Sequence, residues 1–345
     1  MHKESVMSAT REIHPTTSMP RRRALQGAVA AFVAAACGAS GTAWAQAAAY
    51  PSRPIKLLVP FPAGALTDSL GRFVAEGLRA SLGQPVVIEN RPGAGTLLGA
   101  AQVAKAPADG YNLMIATTST LALSPAMQAA PPASATDFVG VAMIGSVTLM
   151  LVTRPDLKAR NLPELVAALR AEPNRYNYAT PGNGTIHHVL VEQIKAQEKV
   201  SATHVPYQGS IPALSDVMSG RIDFMFIDAV AAMPQIQAKK VNVIAVAGPK
   251  RVAALPDVPT VPEAFPAIDT QAWQSVVAPR GTPAAVVDRL NAEISRHLDL
   301  PESRAQLLRM GVEANPMPVK AFQDLIVKDE QRLGNLVRSI GIKAN

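Results

Sequence analysis

Cysteine is almost absent from this sequence: Cys37 is the single one in 345 residues. It falls in an N-terminal stretch with the pattern of an export signal, so the remaining chain has neither a disulfide framework nor a thiol nucleophile. Aromatic residues make up 4% of the chain and charged residues 17%, with a net charge of +7. The first 45 residues hold five basic side chains (Lys3, Arg11, Arg21, Arg22, Arg23) against Glu4 and Glu12, leaving only +4 on the remainder. So thin and scattered an excess, without interleaved aromatics, argues against a nucleic-acid partner. It attracts anions only weakly at physiological salt. Nor is there a convincing membrane span, because the Ala-rich run over residues 24–36 is too short.

Catalytic signatures are also missing. The sequence contains neither H-E-x-x-H nor G-x-S-x-G, and His187, His188 and His204 lack zinc-ligand spacing with carboxylates. "GAGTLLG" (Gly93, Gly95, Gly99) imitates a dinucleotide fingerprint. Its last interval is one residue too long, and no acidic residue ends a strand about 20 positions on. Ser, His and Asp are all present, which leaves a hydrolase triad open at this point.

The first 45 residues combine Arg21, Arg22 and Arg23, an apolar run from Ala24 to Ala36, and the small-x-small triplet Ala43-Trp44-Ala45. This pattern predicts an export signal cleaved after Ala45. The adjacent arginines with Leu25 make a partial twin-arginine signal, with Ala24 at the usual aromatic position. The export route stays open, as does Met1 or Met19 as the true start. A lipid anchor at Cys37 is disfavoured by Ala34, where such sites prefer Leu.

About 300 further residues, in a chain that is 48% hydrophobic, suggest two domains. Strand-like runs alternate with periodic helical segments. "IKLLVPF" precedes a helix from about Asp68 to Leu82, with Gly83 as its cap. "PVVIEN" and "YNLMIAT" precede further helical segments. The rhythm is βαβ and predicts parallel sheets with helices on both faces. The apolar stretch "VAMIGSVTLMLVTRP" breaks the rhythm. A second α/β series follows it, and "QAWQSVVAPRG" resembles a second connecting strand. Ligands in such folds sit beyond the carboxyl ends of the strands.

Four loops follow predicted strands: "PFPAGALTD", "TTSTLALSP", "TPGNGTIHH" and "PYQGS". None contains Lys or Arg. An anion held there needs backbone amides, hydroxyls, helix dipoles and ordered water. Structural roles compete with that reading. Asp68 and Thr67 suit helix capping, Ser119 and Thr120 suit a turn, and Gly182 and Gly184 suit positive φ. His187 and His188 stand at a helix start, and Tyr207 can simply pack.

"YPSRPIKLLVPFPAGALTD", "VVIENRPGAGT", "APADGYNLMIAT", "GNGTIHH", "THVPYQGS", "LPDVPTVPEAF" and "APRGTPAAVVDRLNAEI" follow one another along the chain. Together they resemble the Bug-type receptors, the substrate-binding proteins of tripartite tricarboxylate transporters, over essentially all of residues 50–345. The resemblance implies a periplasmic α/β receptor with the two-domain periplasmic-binding-protein fold, two crossover strands and a ligand cleft between the domains. Residues 46–146 with 275–345 are expected to form one domain and residues 147–274 the other. A small organic acid as ligand, membrane transporter subunits as partners, a monomeric state and no cofactor or metal are implied as well.

By matching positions, the resemblance assigns ligand contacts residue by residue. Phe61, Pro62, Ala63, Gly64, Ala65, Thr67 and Asp68 would form the loop that holds a carboxylate with the help of two waters. Thr117, Thr118, Ser119 and Thr120 would line the same domain. Thr180, Gly182, Asn183, Gly184, Thr185, His188, Tyr207, Gly209 and Asp228 would contribute from the other. Ala65 stands where a second glycine is common, and Leu121 and Ser124 where the family often has His and Asn. Two other functions fit the same cleft: a hydrolase or lyase with His188 as base, and a receptor that feeds a sensor kinase.

Overall fold

The computed structural model describes residues 50–342; the export signal expected over residues 1–45 lies outside them. Among the described residues no helix is long and apolar enough to cross a membrane.

The first half alternates strand and helix: β1 (Ile55–Val59), α1 (Leu66–Leu82), β2 (Val86–Asn90), α2 (Leu97–Ala104), β3 (Asn112–Thr117). A wide helical turn, Ser119–Leu123, follows β3, and the chain then runs through β4 (Phe138–Val147) straight into β5 (Leu149–Thr153). The second series is α3 (Leu162–Ala171), β6 (Asn177–Thr180), α4 (Ile186–Glu198), β7 (Thr203–Pro206), α5 (Ser210–Met218), β8 (Phe224–Asp228), α6 (Ala229–Gln237) and β9 (Asn242–Ala247). The chain ends with β10 (Trp273–Pro279), α7 (Ala284–Asp299), α8 (Pro301–Arg309), β11 (Val312–Ala314) and α9 (Val319–Ile340).

Local sequence explains these elements. In α1, Leu66, Leu70, Phe73, Val74 and Leu78 are buried at helical spacing, and each such side chain contributes about 1.5–3 kcal/mol on burial. The helix closes on Gly83, whose amide donates to Arg79. β3 and β8 are buried on nearly every residue, because helices cover both faces of their sheets.

Two sheets result. The first has the order β11-β4-β10-β3-β1-β2, the second β7-β6-β8-β5-β9. β1 is parallel to β2 and β3, and β6 to β7 and β8. The sheets are nevertheless mixed, not parallel throughout as the βαβ rhythm predicts. β10 runs against β3 and β4, and β5 runs against β8 and β9. The reason is topological. Each of these strands arrives from the other sheet and enters at the edge where its neighbours finish, so it must run backwards. β4 and β5, separated only by Thr148, make one crossing, and β10 follows the other. The carboxyl ends of β1, β3, β6 and β8 consequently face one cleft.

Candidate ligand-binding site

The loops after β1, β2, β3, β6, β7 and β8 enclose two cavities. The outer one has a volume of about 310 Å³, the inner one about 30 Å³. Phe61 lines both. Thr185 faces the outer cavity and Ile186 the inner, and Gly209 and Ser210 divide in the same way. The starts of α4 and α5 therefore stand at the neck between them.

Four helices begin here: α1 after Ala65, α4 after Thr185, α5 after Gly209 and α6 after Asp228. None of these four N-cap residues makes a side-chain capping bond. Asn161 caps α3 by accepting the Glu164 amide, whereas α7, α8 and α9, which begin after Pro283, Leu300 and Pro318, are uncapped as well. First-turn amides that lack a partner, at the positive end of the helix dipole, attract an anion; in α4 the first of them, Ile186, is already accepted by Ser119. Neither cavity is lined by a lysine or arginine.

The first loop is shaped by Asp68. Its buried carboxylate accepts the Gly64 amide at 3.0 Å, the Asn90 side-chain amide at 2.9 Å and two bonds from Arg72. Asn90 also donates to the Phe61 carbonyl. Burial pushes the Asp68 carboxyl up, but the bonds from Gly64, Arg72 and Asn90 outweigh it and hold the group below the usual carboxylate range. Asp68 thus spends its oxygens on the loop. Gly64, at φ +82°, takes the left-handed turn that a side chain would strain.

The expected site residues fall into three groups. Thr67, Ala65, Thr117, Thr118, Ser119 and Asp228 line the inner cavity. Pro62, Gly182, Asn183, Gly184, Thr185, Tyr207 and Gly209 line the outer one. The others lie outside both linings: Ala63 and Gly64 on the exposed turn, and Asp68, Thr120, Thr180 and His188 behind the loops. Thr120 bonds Thr117, and Thr180 bonds His204 Nε2 at 2.7 Å. Tyr207 donates its hydroxyl to Asp216 at 2.7 Å. His188 accepts the Gly184 amide on Nδ1 and stacks on His204 with ring centroids 4.0 Å apart.

His187, the neighbour of His188, is the histidine that faces the inner cavity. Its Nε2 lies 3.9 Å from Asp228, and neither ring nitrogen has a hydrogen-bond partner. Burial pushes the His187 imidazole down, with Asp228 opposing. Burial pushes the Asp228 carboxyl up, against His187 and Ser210. Gln274 on β10 donates to Thr67 but leaves its buried Oε1 unpartnered. Sequence reasoning also missed Trp273, Ser210 and the loop after β2. Gly93, Ala94, Gly95 and Thr96 of that loop line the outer cavity, with Ser124, Met127 and Gln128 nearby. Small residues directly after "PVVIEN" were the available signal for that loop.

Two bonds join the walls. Ser119 accepts the Ile186 amide at 2.9 Å, and Ser124 lies 3.1 Å from the Gly184 carbonyl and 2.6 Å from that of Gly95.

Comparison with known proteins agrees with this architecture. Residues 70–342 match the model of the tripartite tricarboxylate transporter family receptor. BugT of Bordetella pertussis (strain Tohama I) is 34% identical over 303 residues, 85% of this chain and 91% of BugT. A protein from R. palustris solved with adipate superposes with a TM-score of 0.81 at 32% identity, covering 85% of this chain and 99% of its own. The periplasmic binding protein BugD gives a TM-score of 0.80 at 29% identity, covering 86% and 100%. The chain belongs to the tripartite tricarboxylate transporter receptor family, and it is a periplasmic-type solute receptor, not an enzyme.

Proposed function

We propose that this receptor binds a small organic acid in the cleft and closes on it. The lobes would be residues 46–146 with 275–345 and residues 147–274, with closure recruiting membrane transporter subunits. Export to the periplasm would use the signal in residues 1–45, and the receptor would act as a monomer. The reading rests on one observation above all: four helix starts without side-chain caps surround two cavities that no lysine or arginine lines. One ligand carboxylate sits at the neck against these amides, bridged by water where they do not reach, and the ligand body occupies the outer cavity. The adipate complex of the R. palustris relative supports a carboxylate as the common element.

Ligand affinity for the closed form supplies the free energy of closure. The bonds from Ser119 and Ser124 then hold the loops together, and a transporter recognises the closed shape.

Thermal shift and calorimetry against mono-, di- and aromatic carboxylates test this. A ligand at 100 times its dissociation constant adds about 2.7 kcal/mol to stability. No shift with any member of the panel would overturn the reading. Membrane proteins that co-purify only with ligand-loaded receptor would identify the docking partner.

A further inference from the structure

The second sheet ends on β9, and part of that edge is open. Among the described residues no strand lies beyond β9, and its outward bridge joins only Val246 to Thr260. Residues 242–244 have no such cover. Beside them runs a groove of about 910 Å³, lined by Asn242, Val243 and Ile244 in succession. Neighbours along a strand point to opposite faces of the sheet. Three in a row around one space mean that the groove faces the strand edge, where backbone donors and acceptors are presented over about 10 Å.

Charge around the groove is one-sided. Lys158 and Arg160, on the segment after β5, line it together with Lys239, which follows α6, and Lys240 adjoins. All four are exposed, and none is in an ion pair among the described residues. Asp156, the one carboxylate of the lining, pairs with Arg154. Glu164 is spent on the start of α3, where it accepts the Arg160 backbone amide and the Asn161 side chain. Arg160 stands just ahead of that helix start, whose positive end disfavours a cation. Charges that blunt an edge against pairing commonly sit on the edge strand itself. β9 reads Asn-Val-Ile-Ala-Val-Ala and has none. The cations flank it instead, and between them the groove has an apolar floor of Leu157, Ile236 and Val243.

We propose that this groove docks an extended acidic segment of a partner protein, which joins the β9 edge as a further strand. Main-chain bonds to residues 242–244 supply the pairing, and alternate apolar side chains meet Ile236 and Val243. Carboxylates on the other positions reach Lys158, Arg160 and Lys239. A lipid surface would meet the cations but leave the strand edge unused. Leu149 pairs with Asp228 at the cleft end of β5, and Thr153 pairs with Asn242 at its other end. The groove therefore lies at the pole of the sheet remote from the cleft. Its lining falls wholly within residues 147–274, the proposed second lobe. Closure leaves it unchanged, so the contact holds a partner whether or not the cleft is filled. The proposal does not depend on the carboxylate reading.

Fluorescence anisotropy with labelled peptides and the mature receptor tests it. The probe alternates Glu and Val. One control replaces Glu with Lys, and another keeps the probe sequence with every backbone amide N-methylated, which retains charge but cannot pair with a strand. The probe is expected to bind at least tenfold more tightly than either control, and more weakly as salt rises. Lys158→Glu combined with Lys239→Glu, both at exposed positions, should weaken it at least tenfold at an unchanged melting temperature. Absence of probe binding would overturn the proposal, as would equal binding of the N-methylated peptide or undiminished binding by the double variant. Vesicles of anionic phospholipid that bind through the same two lysines while the probe does not would assign the patch to a membrane surface and reject the strand.

Discussion

The Ser119 hydroxyl accepts the Ile186 backbone amide at 2.9 Å, joining the turn after β3 to the first residue of α4. Ser119→Ala leaves that amide without its partner in the closed form, at a cost of about 1 kcal/mol. Because binding and closing are coupled, affinity for any bound carboxylate should fall about fivefold. Titration calorimetry checks this, and an unchanged dissociation constant would show that closure does not depend on the bond.

Gly184 sits at φ +77°, and a Cβ added there would lie 2.7 Å from Ser124 Oγ and 3.1 Å from Ser124 Cα. Those atoms belong to the opposite wall. Gly184→Ala should hold the loops apart and weaken ligand binding at least tenfold. Solution scattering with saturating ligand should show an expanded particle where the unmodified protein is compact. Equal compaction in both would reject the role assigned to this contact.

Asp68 organises the first loop from behind. Asp68→Ala removes the acceptor for Gly64, Arg72 and Asn90. The Arg72 side chain is more than half exposed, so that pair is worth little, and the loss is about 2–3 kcal/mol, chiefly from the bonds to Gly64 and Asn90. For a chain of this size that is a fall in melting temperature of about 3–5 °C. Ligand binding should be lost with it, because the Gly64 turn is released. Since the folded carboxyl titrates below its unfolded range, its stabilisation is fully present above about pH 4. It disappears as pH falls through the folded value.

The stacked rings of His188 and His204 lie behind the Gly182–Gly184 loop. Burial, helped by Lys195, pushes His188 down to about 4. Burial and then His188 itself push His204 down to about 3. Unfolded histidine titrates near 6.5, so the unfolded chain binds protons first as the medium is acidified. Stability from these rings is complete above about pH 6.5 and is lost as pH falls toward 4, at up to about 1.4 kcal/mol per pH unit for each ring. His204→Phe keeps an aromatic stack that cannot titrate. Its melting temperature should fall less steeply between pH 6.5 and 4.5 than that of the unmodified protein, and parallel curves would exclude the stack as the cause.

Much of this architecture is legible in the residues themselves. The amphipathic pattern of α1 and the apolar runs of β1, β3 and β8 are properties of neighbours in the chain, so local pattern reveals them. The loop "PFPAGALTD" announces itself because Pro, Gly and Ala directly after a strand have few other uses. The reversal of β5 and β10 does not show locally, since an apolar strand reads the same in either direction.

The choice between adjacent histidines is a matter of the same kind. His187 and His188 have identical chemistry and differ by about 100° around α4, and only the packing of that helix decides which one meets Asp228 and which one meets His204. Tyr207 likewise carries a hydroxyl suited to a ligand, until Asp216 is found to accept it. The order of residues by itself determined the family of shapes and the lack of lysine and arginine in the cleft loops, because propensity and composition act over short stretches. Tertiary structure alone decided which polar atoms are left without partners. That depends on distances between segments up to 207 residues apart, as in the bond from Gln274 to Thr67, and no local pattern encodes them.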